Sequence, residues 1–130
     1  MSFFERYFEA LDGPRPHTSL DLVSDSVEFV IEWASGADRR ATQLTGGKDE
    51  LRAFIDAGGD MAGWAHYVVW SARDGETEFA LGETRRDDGG FIGTFLAVAH
   101  LDSDGRMDRY MVARSPVITI PRAEADARRA

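Results

Sequence analysis

The sequence predicts an α+β domain in which an antiparallel sheet carries three helices on one face. Strand-like segments crowd the second half of the chain, at roughly 64–73, 76–86, 91–102 and 106–120. Short turns separate them, and short turns between strands make antiparallel neighbours. Helical periodicity is confined to the first half, where only two short strands interrupt it.

The first helix is SFFERYFEALD, residues 2–12. Ser2 and Glu5 form a capping box. Phe4, Tyr7, Phe8 and Leu11 fall on one face, and Gly13-Pro14 ends the helix. TSLDLVSD allows a short second helix with Thr18 as its cap. SVEFVIEW, 26–33, reads as a strand with Val27, Phe29, Ile31 and Trp33 on one side and Glu28, Val30 and Glu32 on the other. RATQLT is a second short strand. KDELRAFIDAGG is a helix with Leu51, Phe54 and Ile55 as its apolar stripe. Pro116 interrupts or ends the last strand. Residues 1–120 form one domain, and 121–130 are expected to be a mobile tail.

With 43% hydrophobic and 29% charged residues, the composition is that of a soluble globular domain. A net charge of −8 and the lack of a basic stripe argue against nucleic-acid binding. There are no cysteines, which excludes disulfides, thiolate nucleophiles and Cys-ligated zinc. MSFFERYFEA carries charges inside its apolar run and does not read as a signal peptide. No apolar run reaches the roughly 20 residues of a membrane span. A cytoplasmic location is expected, with no membrane partner. His17, His66 and His100 lack metal-ligand spacing, the LDSDG turn lacks the later ligands of a calcium loop, and no Gly-rich phosphate cradle is present. No metal and no cofactor are expected.

HYVVWSARDGETEFALGE, 66–83, is a hairpin, and a two-residue type I′ turn at Asp74-Gly75 fixes its register. Arg73 then opposes Glu76, Trp70 opposes Phe79, Val68 opposes Leu81 and His66 opposes Glu83. Opposed Cβ atoms lie roughly 4.5–5.5 Å apart. The apolar members make this the inner face, with His66 and Glu83 as its polar end. A carboxylate beside an imidazole fixes its tautomer and stabilises the imidazolium, which suits acid–base work. The same pair would equally steady a ribbon.

Four segments carry a resemblance: YFEALDGP, SVEFVIEW, GGKDELRAFI and HLDSDGRMDRYMVARS. In order and spacing the chain resembles the NTF2-like superfamily, in particular its SnoaL-like branch, over about 3–120. The resemblance implies an NTF2-like (cystatin-like) cone, a curved antiparallel sheet wrapped around three helices with a deep apolar pocket. It also implies pairing through the outer sheet face. The superfamily holds isomerases, dehydratases, epoxide hydrolases, cyclases and binding proteins, so the fold alone selects no function.

Ketosteroid isomerase needs an oxyanion tyrosine, a base carboxylate and a protonated aspartate. The resemblance places Tyr7, Phe29 and Ala97 at those three positions, so two of the three groups are missing. Scytalone dehydratase and many SnoaL-like proteins resemble the chain in carrying a histidine where His66 stands, but the dehydratase's second histidine is absent, with Glu83 its nearest titratable substitute. The Asp-Arg-Asp set of limonene-type epoxide hydrolases finds no match, because Asp108 and Arg109 are adjacent and point to opposite faces.

The candidate catalytic residues are therefore His66, Glu83 and Tyr7, with Tyr7 a donor to a substrate oxygen. Phe29, Trp33, Trp70, Phe79, Phe95 and Tyr110 are the candidate ligand-binding residues, and Trp64 is a further aromatic of that kind. Tyr110 faces the pocket if the DSDG turn spans four residues, and a three-residue loop would reverse it. His100 is expected to point outward and His17 to lie at the surface. Three functions are open: acid–base chemistry on a small apolar or polycyclic molecule, carriage of such a molecule, or a dimeric interaction module whose pocket its own side chains fill. A homodimer is expected through Ile92, Leu96, Val98, Met107 and Met111 on the outer face.

Overall fold

A computed structural model describes residues 1–35, 38–58, 63–115 and 120. Helix α1 (Phe3–Leu11) and a 3-10 helix (Pro16–Leu22) precede strands β1 (Val23–Ser35) and β2 (Asp38–Gly46). Helix α2 (Lys48–Asp56) follows, then β3 (Trp64–Asp74), β4 (Thr77–Arg86), β5 (Phe91–Leu101) and β6 (Met107–Ser115). The strands form one six-stranded sheet in the order β2-β1-β6-β5-β4-β3. Every pairing is antiparallel except β1 with β6, which is parallel. The predicted C-terminal tail and the region of Pro116 lie outside the described residues. No helix among them is long and apolar enough to cross a membrane.

The predicted capping box of α1 is present: Glu5 N–H donates to Ser2 Oγ at 3.2 Å. Phe3, Phe4, Tyr7 and Phe8 are all buried. Burying such side chains stabilises by about 1.5–3 kcal/mol each. The predicted second helix tightens to 3-10 geometry, starting on Pro16, and Thr18 Oγ1 donates to Arg15 O rather than capping a helix start. In α2, Leu51 and Ile55 are buried as the stripe requires.

Both ends of α1 are fastened to the sheet. Phe3 N–H donates to the buried carboxylate of Glu78 on β4 at 2.9 Å. At the other end, Asp12 accepts from the backbone N–H of His66 on β3 at 2.7 Å. A carboxylate at a helix N-terminus also meets the positive end of the helix dipole.

The β3–β4 hairpin departs from its predicted register. Asp74 pairs with Thr77, so the turn residues are Gly75 and Glu76. Gly75 has φ 60°, while no non-glycine residue among those described has positive φ. A type I′ turn needs positive φ at both central residues, whereas type II′ needs glycine only at the first. The turn thus slides one residue along the chain. A bulge between Val68 and Trp70 then takes up Val69. His66 consequently pairs with Thr84, and Tyr67 with Glu83.

Because side chains alternate, the bulge exchanges faces partway along the strand. His66 and Val68 stay inside, but Trp70 moves out and is 50% exposed. Phe79 shares that outer face and is also exposed. The expectation that Trp70 and Phe79 line the pocket is therefore corrected. Gly82, opposite Val68, lies so close to the Phe95 ring and the Tyr67 carbonyl that a Cβ there would collide with both.

The β5–β6 connection uses the same device to the opposite effect. Asp102 N–H donates to Arg106 O across Ser103, Asp104 and Gly105, a three-residue loop that by itself would turn Tyr110 outward. Leu101 pairs with Met107 and His100 with Arg109, which leaves Asp108 as the extra residue. The bulge restores the parity, so Tyr110 and Val112 are buried inside. Met107 is fully buried in the core, which corrects its expected place on the outer face. Leu96 and Met111 do face outward, 58% and 57% exposed, with Val98 partly exposed between them.

Candidate functional site

The aromatic face of α1 meets the inner sheet face in one cluster. Phe8 packs edge-on to Phe95 at 5.1 Å, and Tyr7 edge-on to Tyr110 at 5.7 Å. The His66 imidazole enters this cluster from β3. It stacks on Phe8 with centroids 4.2 Å apart and planes 13° from parallel, and it stands edge-on to Phe95 at 5.4 Å. Its side chain is only 5% exposed.

The partner of His66 is Asp12. Nδ1 lies 3.0 Å from Asp12 Oδ1 and 3.2 Å from Oδ2. The same carboxylate holds the backbone N–H of residue 66, so one group fixes both the strand and the ring. A carboxylate accepts, so Nδ1 carries the proton and Nε2 keeps its lone pair. Nε2 has no hydrogen-bond partner among the described residues.

The expected His66–Glu83 pair does not form. Glu83 opposes Tyr67 and accepts from Arg85, Nη2 at 2.9 Å and Nε at 3.2 Å. The physical reason is the turn and bulge in the hairpin, which displace the register by one at this end. Sequence reasoning missed Asp12, though a signal existed. Asp12 follows Phe8 by four residues, so its carboxylate continues the buried stripe of α1.

His66 lines a cavity of about 50 Å³ together with Tyr7, Tyr110 and Arg114 among apolar side chains of both helices and the sheet. Arg114 follows Tyr110 and Val112 in the inward alternation of β6, and its guanidinium lies over the Trp64 ring at 5.1 Å. Phe29 and Phe95 are buried on the inner face and Trp33 is half-buried there, but none of the three lines the cavity. Phe29 and Ala97, which the resemblance sets at the isomerase carboxylate positions, are both buried on the inner face. The tyrosyl hydroxyls of Tyr7 and Tyr110 find no hydrogen-bond partner among the described residues.

Burial is the largest influence on His66 and lowers its pKa from the ordinary 6.5; the hydrogen bond its ring makes to Asp12 opposes it and the charge of Arg114 adds to it. Burial also raises the pKa of both tyrosines, which keeps them protonated donors. His100 is the opposite case. It sits on the outer face between Asp108 at 2.6 Å and Glu76 at 3.0 Å, and these bonds, Asp108 first, raise its pKa. His100 thus points away from the cavity, as expected.

No family model matches the sequence, and no curated protein does. Solved structures do. A SnoaL-like family protein from Agrobacterium tumefaciens str. C58, provisionally assigned as an isomerase, is 14% identical with TM-score 0.68, over 86% of this chain and 93% of that one. A protein from Sinorhizobium meliloti provisionally assigned as a polyketide cyclase is 20% identical with TM-score 0.58, over 85% and 92%. An NTF2-like protein of unknown function from Mesorhizobium loti is 17% identical with TM-score 0.58, over 86% and 87%. The chain has the NTF2-like fold of these proteins.

The depressed pKa fixes a pH dependence. Between the folded and unfolded values the unfolded chain binds more protons, so this group's contribution is present above about pH 6.5 and is lost as pH falls. An NMR titration of the His66 ring is expected to give a midpoint below 6.5, and lower still in Asp12→Asn, which removes the opposing influence. A wild-type midpoint above 6.5, or a rise in the variant, would contradict the assignment.

Proposed function

We propose that the protein is an acid–base enzyme acting on a small molecule in the inner cavity. His66 Nε2 takes or gives the proton. Asp12 orients the ring through Nδ1 and stabilises the imidazolium when it forms. The Tyr7 and Tyr110 hydroxyls donate to a substrate oxygen as charge develops there. The observation that carries this reading is the Asp12–His66 pair at 3.0 Å, with the second ring nitrogen unbonded at a cavity wall. Isomerase and cyclase assignments among the solved neighbours support it. A cavity of about 50 Å³ suits a small substrate; drug-sized ligand sites span roughly 300–1,000 Å³.

The test is exchange of α-protons with D₂O, followed by NMR over a panel of short ketones and aldehydes. His66→Ala is expected to lose roughly 10²–10⁴-fold of any exchange, the usual worth of a positioned general base. Full exchange by that variant would remove His66 from the chemistry.

The small cavity also favours a second reading, an interaction module whose cone its own side chains fill. On either reading we propose a homodimer through the outer face. Trp70 pairs with Leu81, Leu81 with Leu96, and Val98 with both Phe79 and Met111, so these side chains adjoin across four strands. A contiguous apolar patch of this kind on a sheet face marks an interface. Sedimentation at micromolar concentration is expected to give twice the 14.4 kDa chain mass, and Leu96→Glu to give the single mass. A wild-type monomer would refute the pairing.

A further inference from the structure

A second space lies beside the inner cavity. It is a groove of about 570 Å³ between the first helix and the edge strand β3, lined by Glu9 and Asp12 on one side and by Tyr67, Val68 and Val69 on the other. Among the described residues, only Phe8 and His66 line both the groove and the cavity. Their rings lie face to face, with centroids 4.2 Å apart. Asp12, which holds the Nδ1 side of the imidazole, lines the groove and not the cavity. The stacked pair is thus a shared wall between a small space and a far larger one.

Phe8 is a fixed part of that wall. It is 2% exposed and packs on Phe4 at 5.7 Å, Tyr7 at 5.5 Å and Phe95 at 5.1 Å. Phe95 in turn fills the space over Gly82, where a Cβ would strike its ring. The helix that carries Phe8 is held at both ends, by Glu78 at Phe3 and by Asp12 at His66. A close-packed ring on a fastened helix resists displacement, because moving it opens voids on one side and overlaps on the other. The wall therefore excludes a ligand that would have to push through it.

We propose that Phe8 is the specificity-determining residue of the cavity: its ring closes the space beside His66 toward the groove and so limits the substrate to a few heavy atoms. A volume of about 50 Å³ corresponds to about three to five water positions at roughly 10–15 Å³ each, which is the scale of acetone. The groove by itself falls within the roughly 300–1,000 Å³ of ordinary ligand sites. Removing the ring at position 8 joins the two spaces, and a longer apolar chain then extends from His66 along Val68 and Val69. The inference rests on the acid–base reading of the same cavity and names the residue that selects its substrates.

The test titrates the full chain with a ladder of methyl ketones, from acetone and butanone to methyl butyl ketone and methyl hexyl ketone, while following the His66 ring signals by NMR. In the wild type, acetone and butanone are expected to shift the ring, and methyl hexyl ketone to bind at least about tenfold more weakly than butanone. Phe8→Ala is expected to strengthen methyl hexyl ketone at least about tenfold, since each methylene newly buried in the groove contributes roughly fourfold. Phe8→Leu shortens the same wall while keeping a large apolar side chain. It is expected to move the limit the same way by less, and it carries the test if Phe8→Ala fails to fold. Phe4→Leu is the control for a packing defect. Phe4 packs on Phe8 but lines neither space, so this change is expected to leave the length limit in place. Equal binding of all four ketones by the wild type, an unmoved limit in the folded Phe8 variants, an equal change in Phe4→Leu, or no ring shift with any ketone would overturn the proposal. The two readings fail separately. A length limit set by residue 8 without any α-proton exchange keeps the wall and removes the enzyme. Exchange of ketone α-protons with one length limit in every variant does the reverse.

Discussion

The carboxylate of Asp12 is the point on which the rest of the site depends. It stands at the end of α1 and accepts from residue 66 twice, once from the edge strand's backbone N–H and once from the ring. Charge-assisted hydrogen bonds are worth about 1.5–3 kcal/mol each, and a buried N–H left without one costs a similar amount. The bond also holds α1 at the angle that lays Phe8 flat against the imidazole. Glu78 secures the other end of the same helix. A helix of nine residues is marginal by itself, so these two fastenings and its four buried aromatics keep it on the sheet.

Two single-residue bulges decide which side chains reach the cavity. Val69 sends Trp70 outward while leaving His66 inside, and Asp108 brings Tyr110 inward after a loop one residue too short for that. Each bulge shifts parity once, and parity is all that separates the cavity wall from the outer face on a two-faced sheet. The side chain of Asp108, freed from the ladder, is the one that holds His100 on the outer face.

Much of this was legible in the sequence. Capping residues, apolar stripes and glycine-bearing turns place the described helices and strands within a few residues, because those signals are local, except that the expected end of the last strand runs past Ser115, where the described strand stops. The inward faces of Phe29 and Phe95 follow from strand alternation, and that of Tyr7 from helical spacing. The His66 partner was not legible by the same means. Its predicted register assumed an unbroken ladder, and neither the choice of turn type nor the bulge at Val69 has a strong local signature. The link from Asp12 to His66 spans 54 residues and exists only once the helix has docked. Arg114 was passed over because a single arginine near a strand end reads as surface until the neighbouring strands are in register.

The account's central claim is that Asp12 fixes the tautomer of His66, leaving Nε2 as the proton-accepting nitrogen. ¹⁵N chemical shifts of the His66 ring near pH 7.5 test it most directly. The account predicts a protonated Nδ1 and an unprotonated Nε2, with the preference lost in Asp12→Asn. A ring protonated at Nε2 in the wild type, or an unaltered tautomer in the variant, would contradict it.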